Sequence, residues 1–185
     1  LMKILLHFKM FMEKKFFKLI EHAYGNPSGL IYITKGGKHP IAYDGEPVEN
    51  WENMLFTLKD GVYSDFSPCV SHANLVSVVF KEIIEKFIPE DYPIEFLPVP
   101  VESEQYGNRQ YYIMHFTKIF DVIDKKHTVY VDGTDKKKKM ALDYNKCKDL
   151  HIFNTSPAVN DVIVSGEVRR MLRKYKLDLG IEFWQ

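Results

Sequence analysis

Residues 71–88, SHANLVSVVFKEIIEKFI, form the stretch whose reading decides the fold. Leu75, Val76, Val79, Phe80, Ile83, Ile84 and Phe87 repeat at the spacing of a one-faced helix for more than three turns, with Lys81, Glu82, Glu85 and Lys86 on the other side. Ser71 can accept from the free N–H groups of the first turn, and Pro89 lacks the N–H that would continue the ladder. The pattern therefore predicts one long helix over about 72–88. Burying seven such side chains is worth on the order of 10–20 kcal/mol before entropy is subtracted, and only a large apolar surface can receive them.

That surface is expected from the strands around it. KFFKLIEHA and LIYITKGG, separated by Gly25-Asn26-Pro27-Ser28-Gly29, read as two strands suited to antiparallel pairing. Residues 36–69 are rich in Gly, Pro and Asp, with Trp51, Phe56, Tyr63 and Phe66 and a short strand near Met54–Leu58. A long irregular stretch holding four large aromatics is either pinned to the core or used for binding. Downstream, IEFLPVPV carries Pro98 and Pro100, which places it at a sheet edge or bend. YYIMHF is a strand, and HTVYVDG with DGTDKKKK and MALDY is a hairpin. LHIFN and DVIVS are two further short strands.

At the C-terminus Ser165 caps a short helix over about 166–176, with Val168, Met171, Leu172 and Tyr175 on one face, Gly180 as the stop and IEFW as a closing strand. The class is α+β: a mostly antiparallel or mixed sheet packed by the long central helix and the short C-terminal one. Residues 13–185 suit a single domain. Residues 1–12 read as a tag remnant or N-terminal extension, because the chain opens on Leu1 and offers Met2, Met10 and Met12 as alternative starts.

Twenty-five Lys and Arg balance twenty-five Asp and Glu, so the molecule as a whole attracts neither nucleic acid nor anionic lipid. No apolar run approaches the roughly 20 residues needed to span a bilayer. Neither nucleic acid nor membrane is expected as a partner. Cys69 and Cys147 are too few for a disulfide scaffold or a four-cysteine zinc site, and a reduced, cytoplasmic protein is the simple expectation.

Candidate chemistry is thin. Cys69 precedes the long helix, whose N-terminus would lower a thiol pKa, while Cys147 between Lys146 and Lys148 reads as exposed. No two histidines stand at the i, i+4 spacing of a zinc hydrolase, although His115 and His151 lie on strands that could converge. Asp121 and Asp124 could bracket a metal or serve as acid and base, or simply bond their own turn. Gly36, Gly37 and Gly133 lack the context of a phosphate cradle. Lys136–Lys139 read as a solvated hairpin tip that discourages edge pairing. The sequence thus supplies no catalytic set, metal site or cofactor site. What remains are binding candidates: Trp51 and Trp184, and an acidic run from Glu90 and Asp91 through Glu95, Glu102 and Glu104 to Tyr106 and Arg109. Trp51, Glu95, Glu102, Glu104, Tyr106 and Arg109 are the expected contact residues.

From Asp65-Phe66 and Val70-Ser71 through the central helix, IEFLPVPV, YYIMHF, FDVID, LHIFN and VIVSGEVRRMLRKYKLDLGIEF, the order and spacing resemble the immunity proteins of bacterial polymorphic-toxin systems, nearest the eleventh and forty-third families. The resemblance spans about residues 63–183, with a weaker echo in KFFKL. The Lys-rich hairpin and the N-terminal residues lie outside it. It implies a small cytoplasmic protein, not an enzyme, that binds and neutralises one cognate toxin domain by occlusion, and it transfers no catalytic residues. A hydrolase-like enzyme with a His/Asp site and a nucleic-acid-binding module stay open beside it.

Overall fold

A computed structural model describes residues 14–21, 31–35, 45–52, 54–67, 73–134, 136–156, 162–177 and 181–184. In chain order the strands are β1 (Phe16–Glu21), β2 (Ile31–Lys35), β3 (Leu55–Leu58), β4 (Phe66–Ser67), β5 (Leu75–Ser77), β6 (Ile94–Glu102), β7 (Arg109–Phe116), β8 (Val129–Tyr130), β9 (Lys137–Lys139), β10 (Ile152–Asn154), β11 (Val162–Ser165) and β12 (Ile181–Trp184). Helix α1 (Val78–Glu85) follows β5, α2 (Tyr144–Cys147) precedes β10, and α3 (Gly166–Lys174) follows β11.

The fold is α+β with two main sheets. One has the order β10-β11-β1-β12, the other β2-β3-β6-β7-β5-β4, and β8-β9 form a separate ribbon. Pairing is antiparallel throughout the described strands except between β3 and β6. The expected pairing of the first two strands is not found. β1 inserts between β11 and β12, and β2 pairs with β3 in the other sheet.

The long central helix is also corrected. Leu75, Val76 and Ser77 are a strand, opposite Ile113, Tyr112 and Tyr111 of β7, and the helix runs only over Val78–Glu85. An i, i+1 apolar pair fits either period, so the sheet partner decides. Leu75 enters one core and Val76 the other, as strand neighbours on opposite faces must. The cap is Ser77, whose Oγ accepts from the Phe80 N–H at 3.1 Å. Only Phe80, Ile83 and Ile84 of the helix are buried, and Val79 is 42% exposed. Helix burial is therefore worth about 5–9 kcal/mol, and the rest of the expected stabilisation belongs to β5.

The short C-terminal helix starts at its expected place but ends at Lys174, with Tyr175 an exposed C-cap rather than part of the inward face, and the expected stop Gly180 lies outside the described residues. Ser165 Oγ accepts from Val168 N, and Val168 and Leu172 face inward. The two junctions are alike: β5–Ser77–α1 and β11–Ser165–α3 each pass from strand to helix through an extended serine, with ψ 163° and 162°. Phe80, Ile83 and Ile84 of α1, with Val168 and Leu172 of α3, share a core with Phe17, Leu19, Ile152 and Val164 of the four-stranded sheet and Val76, Met114 and Phe116 of the six-stranded one. The other face of the four-stranded sheet buries Phe153 and Ile163 against Val122 and Cys147. The other face of the six-stranded sheet encloses Phe56, Leu75, Val99, Val101, Tyr111 and Ile113, with Tyr63 among them.

β6 sits inside its sheet rather than at its rim. Each residue from Ile94 to Val101 faces a β7 residue, while parallel β3 joins only at Val101 and Glu102. The flank of β6 before that point is crossed by residues 45–52. There the Val48 N–H donates to Glu95 Oε2 at 3.0 Å, and Trp51 Nε1 donates to the Pro98 carbonyl at 3.2 Å. A proline without an N–H is tolerated on a flank that no strand pairs, which reconciles the edge signal with an internal strand.

Candidate functional site

Of the six expected contact residues the structure gathers four. Glu102 ends β6, Glu104 and Tyr106 lie in the following turn, and Arg109 opens β7, so all four stand at the tip of one hairpin and all are exposed. The tip is tightly built. The Gly107 N–H donates to the Ser103 carbonyl at 3.0 Å, and the Tyr106 N–H to Ser103 Oγ at 3.2 Å. Gly107 has φ +70°, a conformation that a β-carbon disfavours.

Beneath it stands Tyr63, from the irregular segment before β4. Tyr63 is buried, with its hydroxyl 2.9 Å from both the Val101 and the Gly107 carbonyls. Its ring stacks on Tyr111 at 5.7 Å and meets the edge of Tyr106 at 6.5 Å. The Arg109 guanidinium lies over the ring, 4.5 Å from its centroid. Burial pushes the Tyr63 phenol pKa up against the opposing pull of Arg109, so the group stays a neutral donor. Tyr111 is anchored in turn, donating to the Ser64 carbonyl at 2.6 Å. A tyrosine inside an aperiodic segment gives no signal of such a role; only the return of residues 59–65 under the hairpin creates it.

The other two residues stand apart. Glu95 is seven positions from Glu102 along β6, about 23 Å at strand rise, and Trp51 is bonded at Pro98 between them. Trp51 packs on the core inside the six-stranded sheet while part of its ring remains accessible. Around this pair lie the exposed carboxylates Glu46, Glu49 and Glu52. The neutral total conceals a segregation. Between residues 45 and 109 there are twelve Asp and Glu against Lys59, Lys81, Lys86 and Arg109, an excess of eight negative charges. The two stations differ in build: Trp51 and Glu95 are bonded along the β6 flank, and the other four residues stand on a closed turn.

The groups on which an enzyme would be built have separate structural employment. His115, in the six-stranded sheet, is buried and 2.7 Å from the Glu46 carbonyl, which can only accept, so the proton is on Nε2. His151 precedes β10 in the other sheet. Lys14 Nζ donates to its Nε2 at 3.4 Å, and its Nδ1–H donates to Ser165 Oγ at 3.1 Å. Burial, then the Lys14 charge, hold the His151 pKa down. Asp121 is exposed and paired with Lys146 at 2.8 Å, which keeps its carboxyl below the usual range. Asp124 accepts from the Lys126 and His127 N–H groups and from His127 Nδ1, the turn-bonding role weighed for it above.

Cys147 is not exposed: it is buried against Phe153 and Ile163, and burial raises its thiol pKa. One turn of α2 turns Lys146 and Lys148 outward and the thiol inward. Lys137–Lys139 are corrected from hairpin tip to strand: they form β9 opposite Val129 and Tyr130, the turn lies before them around Gly133, and Tyr144 of MALDY begins α2 rather than continuing a strand. Among the described residues no group of three His, Cys, Asp or Glu is placed to hold a metal, and no helix is long and apolar enough to cross a membrane. Cys69, Ser71, Gly36 and Gly37, residues 1–12 and the side chain of Trp184 lie outside the described residues.

No curated protein matches the chain. A family model, the Imm11 immunity protein family, matches residues 20–185, from the end of β1 through β12 and across the Lys-rich ribbon. With nine-tenths of its length inside that match, the chain belongs to the Imm11 immunity protein family.

Proposed function

We propose that this protein binds and neutralises a cognate toxin domain of a bacterial polymorphic-toxin system in the cytoplasm, covering the toxin rather than modifying it. The observation that carries the reading is the family match over residues 20–185. The structure supports it in two ways. His115 and His151 belong to different sheets, and Asp121 and Asp124, in the segment between β7 and β8, are each bonded to a neighbour of their own. The exposed hairpin tip, by contrast, combines an accessible tyrosine and arginine with acidic neighbours, the composition of an interface centre with a charged rim. Contact is made by Glu102, Glu104, Tyr106 and Arg109 at the tip and by Trp51 and Glu95 on the β6 flank, and the acidic excess speeds encounter with a basic toxin surface. Co-expression with the toxin encoded beside the gene is the test. Protection and a co-purifying complex are expected; neither appearing would remove the proposal.

A further inference from the structure

Among the described residues, the side chain of Tyr63 supports the hairpin tip from below. Two carbonyls, Val101 near the end of β6 and Gly107 in the turn before β7, both point to one phenol, each 2.9 Å from the Tyr63 hydroxyl. The Ser103 bonds close the turn on itself but tie it to nothing beneath. The Arg109 stack, at 4.5 Å, fixes the guanidinium over the same ring, and the edge contact with Tyr106 aligns the exposed ring. Tyr63 itself is 7% exposed, so a partner seated on the tip reaches Tyr106 and Arg109, not the phenol.

We infer that Tyr63 is a positioning residue for toxin binding: its hydroxyl and ring hold Tyr106 and Arg109 in the conformation the toxin meets, so that this order is not lost on association. The inference rests on the proposed toxin-binding reading. A long aromatic or arginine side chain that must be immobilised on binding weakens the complex, and one already immobilised does not. Removing the hydroxyl takes away the one proton that the Val101 and Gly107 carbonyls share, and the exposed Gly107 carbonyl turns to water.

The experiment compares wild type with Tyr63→Phe. In the chain alone, amide hydrogen exchange of residues 105–109 is expected to quicken about fivefold, the equivalent of about one hydrogen bond, while Ile113 and Val164 keep wild-type protection. In surface-based kinetics with the toxin encoded beside the gene, Kd is expected to rise by a similar factor, carried by the off-rate. Tyr106→Ala serves as the contrasting variant, since it removes a contact and so weakens binding without quickening tip exchange. Unchanged exchange at 105–109 in Tyr63→Phe overturns the inference, as does quickened exchange with an unchanged Kd. A wild-type chain that fails to bind the toxin overturns the functional reading beneath it, a result that no comparison of variants can be confused with.

Discussion

Replacing Ser77 by alanine tests the junction that reshaped the central segment. Two interactions of its hydroxyl are lost. Oγ accepts from the Phe80 N–H at 3.1 Å, and a capping bond of this kind is worth about 1 kcal/mol. The same hydroxyl donates to Asp65 Oδ1 at 2.6 Å. A bond to a carboxylate lies in the range of about 1.5–3 kcal/mol, and since Asp65 is only half-buried, water recovers part of it and the low end applies. The sum is about 2.5 kcal/mol. For a chain of this length that lowers Tm by about 5–10 °C. The backbone bond from Ser77 N to the Asp65 carbonyl is untouched, so the β4–β5 pairing survives and unfolding stays cooperative. Urea denaturation followed by circular dichroism measures the loss, and Ser77→Thr, which keeps a hydroxyl, should restore most of it. If Ser77→Ala unfolds within about 0.5 kcal/mol of wild type, the helix does not begin where the structure starts it, and the reasoning from cap to strand-to-helix junction fails.

Four further outcomes are expected. Phe80→Ala empties a fully buried site against Phe66, 5.9 Å away, and should cost about 3–5 kcal/mol by the same assay. Because the His151 pKa is lower folded than unfolded, the unfolded chain binds the extra proton; stability is full above the ordinary histidine pKa of about 6.5 and falls as pH drops below it. Thermal melts at pH 7.5 and pH 5 should show that fall, and His151→Gln should reduce it. Cys147 should resist a thiol reagent until the protein unfolds, since it is wholly buried with a raised pKa; rapid native labelling would contradict its place in the core. Glu102→Lys with Glu104→Lys should weaken the toxin complex, chiefly through the on-rate and more at low salt, with little change in Tm; an unchanged Kd would move the contact away from the tip.

Much of the fold was legible without coordinates, and the reason is local chemistry. Ser165 stands between an apolar strand and the polar run Gly166-Glu167, so cap and period agree there and α3 begins where the pattern puts it. The turn at Gly133, the strands near Leu55–Leu58, over residues 111–116 and at Ile152–Asn154, and the family itself likewise follow from short-range signals and their order. Ser77 has the same role in the same geometry but is hidden in LVSVVF, where no change of polarity marks the junction. There only the pairing of Leu75–Ser77 with β7 separates strand from helix, and pairing is a long-range fact. The same is true of β1, whose partners β11 and β12 lie at the far end of the chain. Composition marks Glu102, Glu104, Tyr106 and Arg109 as candidates for contact because acidic and aromatic character can be read residue by residue. That they meet at one tip, that Glu95 does not, and that Tyr63 lies against Tyr106 and Arg109 depend on strand register and on a loop returning beneath a hairpin, neither of which a one-dimensional pattern encodes.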